Sequence, residues 1–139
     1  FTLVAPSLFV GCASTRQYVP LPDQSKSVEN SAQGRIYVVR PAFAGGAVAM
    51  KVRDGDKHIG TTGGKGYVCW ERDPGKTTIS SKAENTSRLE LDVAQGNVYY
   101  IMQNIRMGIL MARNKLELVD ETKGKAALKK CKPPQVVVD

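Results

Sequence analysis

The feature that most constrains this chain is a series of short β-branched and aromatic runs separated by turn residues. Residues 35–40 (RIYVVR), 88–93 (RLELDV) and 98–104 (VYYIMQN) alternate side chains between two faces, as strands do. The dipeptides Asp54-Gly55 and Pro74-Gly75 suit tight turns, because Gly and Asp tolerate positive φ and Pro restricts φ. This spacing predicts strands joined by tight turns.

The same pattern extends over most of the chain after residue 34. Further strands are predicted at residues 47–53, 57–62, 67–71, 77–82, 107–111 and 115–119. Residues 121–130 (ETKGKAALKK) predict a short helix, which Gly124 weakens. The predicted fold class is all-β: a small antiparallel β-sandwich of seven to eight strands with a short C-terminal helix.

The beginning of the chain has the form of a bacterial lipoprotein signal. An apolar run, residues 1–10, is followed by Gly11-Cys12-Ala13-Ser14. We expect cleavage before Cys12 and acylation of its thiol, although Phe9 occupies a position where such signals prefer Leu. A core strand with a buried Cys is the alternative. A membrane span needs about 20 apolar residues and is excluded, because polar residues begin at Ser14.

The segment that follows Cys12 is polar and contains Pro20 and Pro22. Because it has little to bury, we expect it to be an extended or mobile tether. The predicted division is a signal remnant at 1–11, lipidated Cys12 with a flexible tether at 12–33, a β-sandwich at 34–132 and a tail at 133–139. Ala13, in place of the Asp that retains lipoproteins at the inner membrane, predicts the periplasmic face of the outer membrane.

A set of dispersed residues resembles an uncharacterised family of bacterial lipoproteins whose domain is of unknown function. The set comprises Gly34-Arg35-Ile36-Tyr37, Arg40-Pro41, Asp54-Gly55, Gly60, Gly66-Tyr67, Pro74-Gly75-Lys76 and Gly96-Asn97-Val98-Tyr99-Tyr100-Ile101. The resemblance covers about residues 34–131 and extends to small prealbumin-like sandwiches, although their Pro-Glu-Gly-Ala tetrapeptide is absent. It implies a sandwich fold and an envelope location, and it implies no catalytic residues.

The cysteines allow two outcomes. If Cys12 carries lipid, Cys69 and Cys131 remain as a pair in an oxidising compartment. A disulfide between them is favoured and would stabilise the fold by about 2–4 kcal/mol. The alternative is two free buried thiols.

Catalytic and metal chemistry find little support. His58 is the only histidine, and no second ligand or base of its type exists. Asp54 and Asp56 flank Gly55, which is more typical of a turn than of a cation site. Residues 60–66 (GTTGGKG) lack the Ser or Thr and the helix that a phosphate loop requires. We therefore expect no enzyme, no metal and no cofactor.

The net charge of +7 suggests an anionic contact. Lys125, Lys129 and Lys130 are candidates for binding peptidoglycan or anionic lipid, with a merely solvated basic face as the alternative. Tyr99 and Tyr100 must point to opposite sides of a strand, so we expect one to be exposed as a contact. The predicted function is a lipid-anchored, non-catalytic module that docks onto an envelope protein, with ligand binding as the alternative. No nucleic acid partner is expected, because no recognition helix or stacking pattern is present.

Overall fold

The computed structural model describes residues 14–42, 48–107 and 112–138. These residues form ten strands and one helix, which confirms the predicted all-β sandwich but exceeds the expected seven to eight strands, because the N-terminal segment and the tail add β1 and β10. The elements are β1 (Arg16–Gln17), β2 (Gly34–Arg40), β3 (Met50–Asp54), β4 (Lys57–Thr62), β5 (Gly66–Arg72), β6 (Gly75–Lys82), β7 (Thr86–Val93), β8 (Val98–Met107), β9 (Ala112–Val119), α1 (Glu121–Leu128) and β10 (Gln135–Val136). Residues 108–111, predicted as part of a strand, lie outside the described residues.

The strands form a six-stranded sheet, in the order β10-β1-β4-β3-β6-β7, and a four-stranded sheet, in the order β5-β2-β8-β9. Most neighbours are antiparallel, as predicted, but β2 pairs with β8 and β1 pairs with β10 in parallel. Parallel pairing requires a long crossover connection. Between β2 and β8 the chain provides it by building β3, β4, β6 and β7 of the other sheet.

The main core lies between the two sheets. Ile36 and Val38 of β2 face it and are fully buried, together with Val52 and Ile59 from the six-stranded sheet. The alternate β2 residues, such as Val39, face the opposite side of the four-stranded sheet and are buried there in a second cluster. Strand β2 is therefore covered on both faces, which requires a third layer over the four-stranded sheet.

Helix α1 supplies part of that third layer. The Asp120 carboxylate accepts a hydrogen bond of 2.8 Å from the Lys123 N–H, which caps the helix N-terminus. The helix buries Gly124 and Ala127 against the outer face of the sheet. The predicted helix is thus confirmed in type and position.

The N-terminal segment contributes to that layer through Leu21 and to the six-stranded sheet through β1, so the expectation of a flexible tether is wrong for residues 14–33. Strand β1 pairs with β4, and Gln17 is fully buried. The Gln17 side-chain amide donates to the Cys69 carbonyl at 2.6 Å and accepts from the Cys69 N–H at 2.9 Å. Polar side chains that suggested a solvated tether instead satisfy backbone groups at the edge of β5.

The predicted tail also belongs to the sandwich. Gln135 donates its N–H to the Thr15 carbonyl at 2.9 Å, and β10 pairs with β1. The folded unit therefore extends beyond the predicted limits of 34 and 132. The predicted signal remnant and Cys12 lie outside the described residues. In the described part of the chain, no helix has the length and apolar character needed to cross a membrane.

Candidate functional site

A groove on the outer face of the four-stranded sheet is the strongest candidate site. It lies between α1 and residues 24–27 of the N-terminal segment, and its volume is about 480 Å³. This volume falls within the range of small-molecule sites. Its lining includes Lys26, Arg35, Tyr37, Tyr67, Tyr100 and Lys125. We call this cleft the tyrosine groove.

Three tyrosines from neighbouring strands form its floor. Tyr37 and Tyr100 stack in parallel, with ring centroids 5.2 Å apart and planes inclined by 2°. Tyr67 meets Tyr37 at 6.0 Å in a tilted arrangement. The three residues are in register, because Tyr37 pairs with Tyr100 on β8, and Tyr67 lies two residues along β5 from Cys69, the β5 partner of Tyr37. Regular strand alternation therefore places all three rings on one face.

The tyrosine hydroxyls differ in their partners. The Tyr37 hydroxyl donates to Gln24 Oε1 at 3.0 Å and accepts from Arg35 at 3.2 Å. The hydroxyls of Tyr67 and Tyr100 have no hydrogen-bond partner among the described residues. Burial raises the pKa of all three tyrosines, so their hydroxyls remain protonated and can donate hydrogen bonds. Two donors at the floor of the groove are thus available to a ligand.

An ion pair fixes one wall of the groove. Arg35 is 1% exposed and pairs with Glu71 at 2.9 Å. Arg35 also donates to the carbonyls of Asp23 and Lys26, at 2.8 and 2.7 Å. Glu71 accepts from the backbone N–H groups of Glu29 and Asn30. The pair therefore holds the N-terminal segment to the sheet from two sides.

These hydrogen bonds also determine the ionisation of Glu71. Burial favours its neutral form, but the bonds from Glu29, Asn30 and Arg35 outweigh burial and lower the pKa of Glu71 below its ordinary value. Its negative charge is committed to Arg35. The free charges at the groove are those of Lys26 and of the Lys125–Glu121 pair, whose side chains lie 2.8 Å apart on the exposed surface of α1.

The structure brings two of the predicted contact residues into this groove, Tyr100 and Lys125. Tyr99 and Tyr100 point to opposite faces, as predicted, and Tyr99 is half-buried whereas Tyr100 is buried. Tyr100 is 6% exposed beneath α1, and Tyr99 packs against the inter-sheet core with its hydroxyl on the Asp92 carbonyl. Lys129 and Lys130 are exposed beyond the end of α1 and do not line the groove.

The predicted disulfide is not formed; Cys69 and Cys131 are free thiols. Each sulfur contacts different groups, Cys69 the Gln24 amide at 3.8 Å and Cys131 the carbonyls of Arg40 and Ala127 at 3.6 and 3.5 Å. Burial raises the pKa of Cys69 to about 12 and that of Cys131 to about 11. Both thiols are therefore protonated at neutral pH and poor nucleophiles.

The other candidate chemical groups are engaged in the fold. The Asp54 carboxylate accepts from the Trp70 indole at 2.9 Å and from Arg72 at 2.8 Å. His58 packs on Tyr18 with ring centroids 4.9 Å apart. The described residues contain no cluster of His, Cys, Asp or Glu that could hold a metal ion.

Sequence reasoning overlooked Arg35 and Tyr37 as site residues. The signal was present in the alternation of β2, where Arg35 and Tyr37 share a face and Ile36 and Val38 share the other. An arginine and a tyrosine on the face opposite the core indicate a second, polar layer. Which strands lie beside β2 could not be read from that pattern.

Comparisons with known proteins identify a family. Residues 30–114 match a family described as "Protein of unknown function (DUF2846)". The chain is also similar to an uncharacterized protein of Haemophilus influenzae (strain ATCC 51907 / DSM 11121 / KW20 / Rd), with 30% identity over 108 residues. That alignment covers 77% of this chain and 64% of the relative.

Proposed function

Because this chain belongs to the DUF2846 family of proteins of unknown function, we propose its function from the geometry: a non-catalytic envelope module that binds an acidic glycan in the tyrosine groove. The observation that carries the proposal is the meeting of two unpartnered tyrosine hydroxyls with a cationic rim in one cleft of about 480 Å³. It corresponds to the ligand-binding alternative of the sequence analysis.

The chemistry of the lining favours an anionic, hydroxyl-rich ligand. Arg35 is neutralised by Glu71, and Lys125 pairs with Glu121, so Lys26 leaves the groove with an excess of positive charge. The hydroxyls of Tyr67 and Tyr100 can donate to sugar oxygens, and Ser27 adds a further hydroxyl donor at the wall. The neutral thiols and the distant position of His58 leave no nucleophile with a base beside it among the described lining residues, which supports binding without catalysis.

The proposal includes the lipid anchor at Cys12 and the periplasmic face of the outer membrane. Its support is the apolar run 1–10 before Gly11-Cys12. Only Ala13 and Ser14 separate Cys12 from Thr15, which the sheet holds through Gln135. Three residues span about 10 Å at most, so the domain would lie close to the bilayer. The two-sheet architecture supports, in addition, the likeness to prealbumin-like sandwiches.

A titration tests the groove directly. The full chain with Cys12→Ser is titrated with the peptidoglycan disaccharide GlcNAc–MurNAc, which carries a carboxylate, and with N,N′-diacetylchitobiose, which lacks one. We expect backbone amide NMR shifts at Tyr67, Tyr100 and Lys26 with the acidic disaccharide and much weaker effects with the neutral one.

Matched variants complete this experiment. Tyr67→Phe/Tyr100→Phe removes two hydroxyls without changing the rings and should weaken binding about tenfold. Lys123→Ala, on the exposed side of α1, is the control and should change affinity less than twofold. Equal affinity for both disaccharides, or no loss in the double variant, would contradict the proposal.

A second candidate function is docking onto an envelope protein through the free edge of β10. Val136, Val137 and Val138 are 40%, 43% and 50% exposed, and the N–H of Val137 bonds to Gln17 at 2.8 Å. The adjacent N–H groups face the open edge, where an extended segment could add as a strand. In-cell photo-crosslinking from position 136, with position 76 as control, tests it; a single protein adduct at 136 only is expected.

A further inference from the structure

The strand registers place the charged residues of this protein at two distinct ends. Strands β4 and β6 both end beside the start of β3, which places Thr62 and Lys82 at one end of the sandwich. Strands β2 and β8 run in parallel toward the same end, which places Arg106 there. Lys132, after α1, pairs with Gly66 at the start of β5 and lies at that end too. Thr15, the second described residue, lies there too, because its hydroxyl accepts from the Gly63 N–H at 2.9 Å.

Basic side chains predominate at this end. They are all exposed and come from both sheets, the N-terminal segment and the end of α1: Arg16, Lys51, Lys65, Lys82, Arg106, Arg113, Lys115, Lys129, Lys130 and Lys132. We call this set the basic end. The described acidic residues near it are Glu84 and Glu117.

The opposite end has a different charge balance. Most described acidic residues lie there, in the turns after β3, β5, β7 and β9 and in the N-terminal segment: Asp23, Glu29, Asp54, Asp56, Glu71, Asp73, Asp92, Asp120 and Glu121. The sandwich is therefore electrostatically polarised along its strands.

Several arrangements at the basic end do not favour stability. Lys51 pairs directly with Lys82 across β3 and β6, and Arg106 pairs with Arg113 across β8 and β9. Like charges directly opposite each other destabilise a sheet. Lys65 adopts a positive φ of 55° within a glycine-rich turn, a conformation that favours Gly or Asn. These features indicate that positive charge is retained here for an anionic partner.

We propose that the basic end is a docking face for an anionic phospholipid bilayer. Its side chains bind the headgroup phosphates and orient the sandwich with its strands pointing toward the membrane. The residues of the basic end are spread over a broad area and come from separate elements, which suits contact with a flat charged surface. Arg106, Arg113 and Lys115 line a depression of about 670 Å³, which Asn85 and Glu117 share and which is large enough for headgroups. Among the described residues of the basic end, no aromatic side chain stands between the charged ones to stack on bases, which separates this face from a single-stranded nucleic acid site.

The route of the chain agrees with this orientation. Ser14 and Thr15 lie at the basic end, and Cys12 precedes Ser14 by two positions in the sequence. This part of the argument rests on the proposed anchor at Cys12. The charge distribution and the like-charge pairs do not depend on the anchor or on the tyrosine groove.

Vesicle binding of the non-lipidated full chain tests the face. The Cys12→Ser protein is mixed with vesicles of phosphatidylethanolamine and phosphatidylglycerol, or of phosphatidylcholine only, and sedimented at 50 and 300 mM NaCl. We expect binding to the anionic vesicles at low salt, a loss of more than tenfold at high salt, and little binding to phosphatidylcholine.

Two charge variants locate the contact. Arg106→Gln/Arg113→Gln should lower the partition coefficient about tenfold or more, and its melting temperature should be no lower than that of the parent because a repulsion is removed. Lys57→Gln/Lys76→Gln removes the same charge from the opposite end and should change partitioning less than twofold.

Three results would overturn the proposal: no binding to anionic vesicles at 50 mM salt, equal losses in both variants, or tighter binding of a single-stranded oligonucleotide with the same dependence on Arg106 and Arg113. None of them bears on the glycan titration, so the two proposals fail separately.

Discussion

The backbone of Gly124 lies directly on the aromatic ring of Tyr100. A Cβ built on Gly124 would overlap the Tyr100 Cγ and Cβ atoms. The glycine that weakens α1 as an isolated helix is thus the residue that lets the helix approach the sheet. The Tyr100 ring also stacks on Tyr37, so the contact with Gly124 helps to set the floor of the groove.

We predict that Gly124→Ala destabilises the protein although Ala is the better helix former. The gain in helix propensity is about 1 kcal/mol, whereas overpacking costs about 1–3 kcal/mol and displaces α1. Chemical denaturation should therefore show a net loss of stability and a change in the amide signals of Tyr37 and Tyr100. Thr122→Ala, at an exposed position of the same helix, is the control and should not destabilise; a more stable Gly124→Ala protein would contradict the contact.

Glu71→Gln should loosen the N-terminal segment. The substitution leaves the buried Arg35 guanidinium without its counter-charge and weakens the bonds to Glu29 and Asn30, at a cost of about 2–3 kcal/mol. Hydrogen exchange should accelerate at residues 29–30 more than in β8. Because the folded-state pKa of Glu71 lies below 4.5, its contribution is present above that pH and is lost as pH falls. Uniform exchange across the sandwich would show that Glu71 does not hold this segment.

His58 should make the protein less stable at mildly acidic pH. Burial, and then the nearby charges of Arg53 and Lys51, lower its pKa below 6.5, and its Nε2 has no hydrogen-bond partner among the described residues. The unfolded chain therefore takes up a proton more readily than the folded one, and stability falls as pH drops below about 6.5. Denaturation of the parent and of His58→Phe at pH 7 and pH 5 should show a smaller loss in the variant; equal losses would assign the effect to other groups.

The two described cysteines should behave as protected thiols. Cys69 is fully buried and has a pKa of about 12, so iodoacetamide should modify it only after unfolding. Cys131 is partly exposed with a pKa of about 11 and should react slowly in the native state. Intact mass spectrometry with and without guanidinium measures both. An unreduced protein that is two hydrogens lighter and has neither thiol modified would restore the disulfide prediction.

Sequence reasoning succeeded where local pattern governs structure. Strand β4 was predicted at its observed limits, and the Asp54-Gly55 turn has the positive φ, 58°, that its residues favour. It was wrong for residues 14–33, since a polar composition resembles a linker. Gln17 shows the cause: its amide is polar in composition but replaces a strand partner for Cys69. Such a role depends on a residue 52 positions away.

For the candidate site, too, local pattern was predictable and contacts between distant residues were not. Alternation along β8 determined that Tyr99 and Tyr100 face opposite ways, because side chains alternate along any strand. It did not determine that α1 covers the Tyr100 ring or that the Tyr99 ring packs half-buried against the inter-sheet core.

The sequence by itself determined the fold class, most strand positions, the short helix and the basic charge, because these depend on neighbouring residues and on composition. Only the tertiary structure decided the parallel pairing of β2 with β8, the docking of the N-terminal segment, and the two groupings of residues that form the tyrosine groove and the basic end. These depend on register between strands far apart in the chain, where the favourable contacts form only after the whole sandwich has closed.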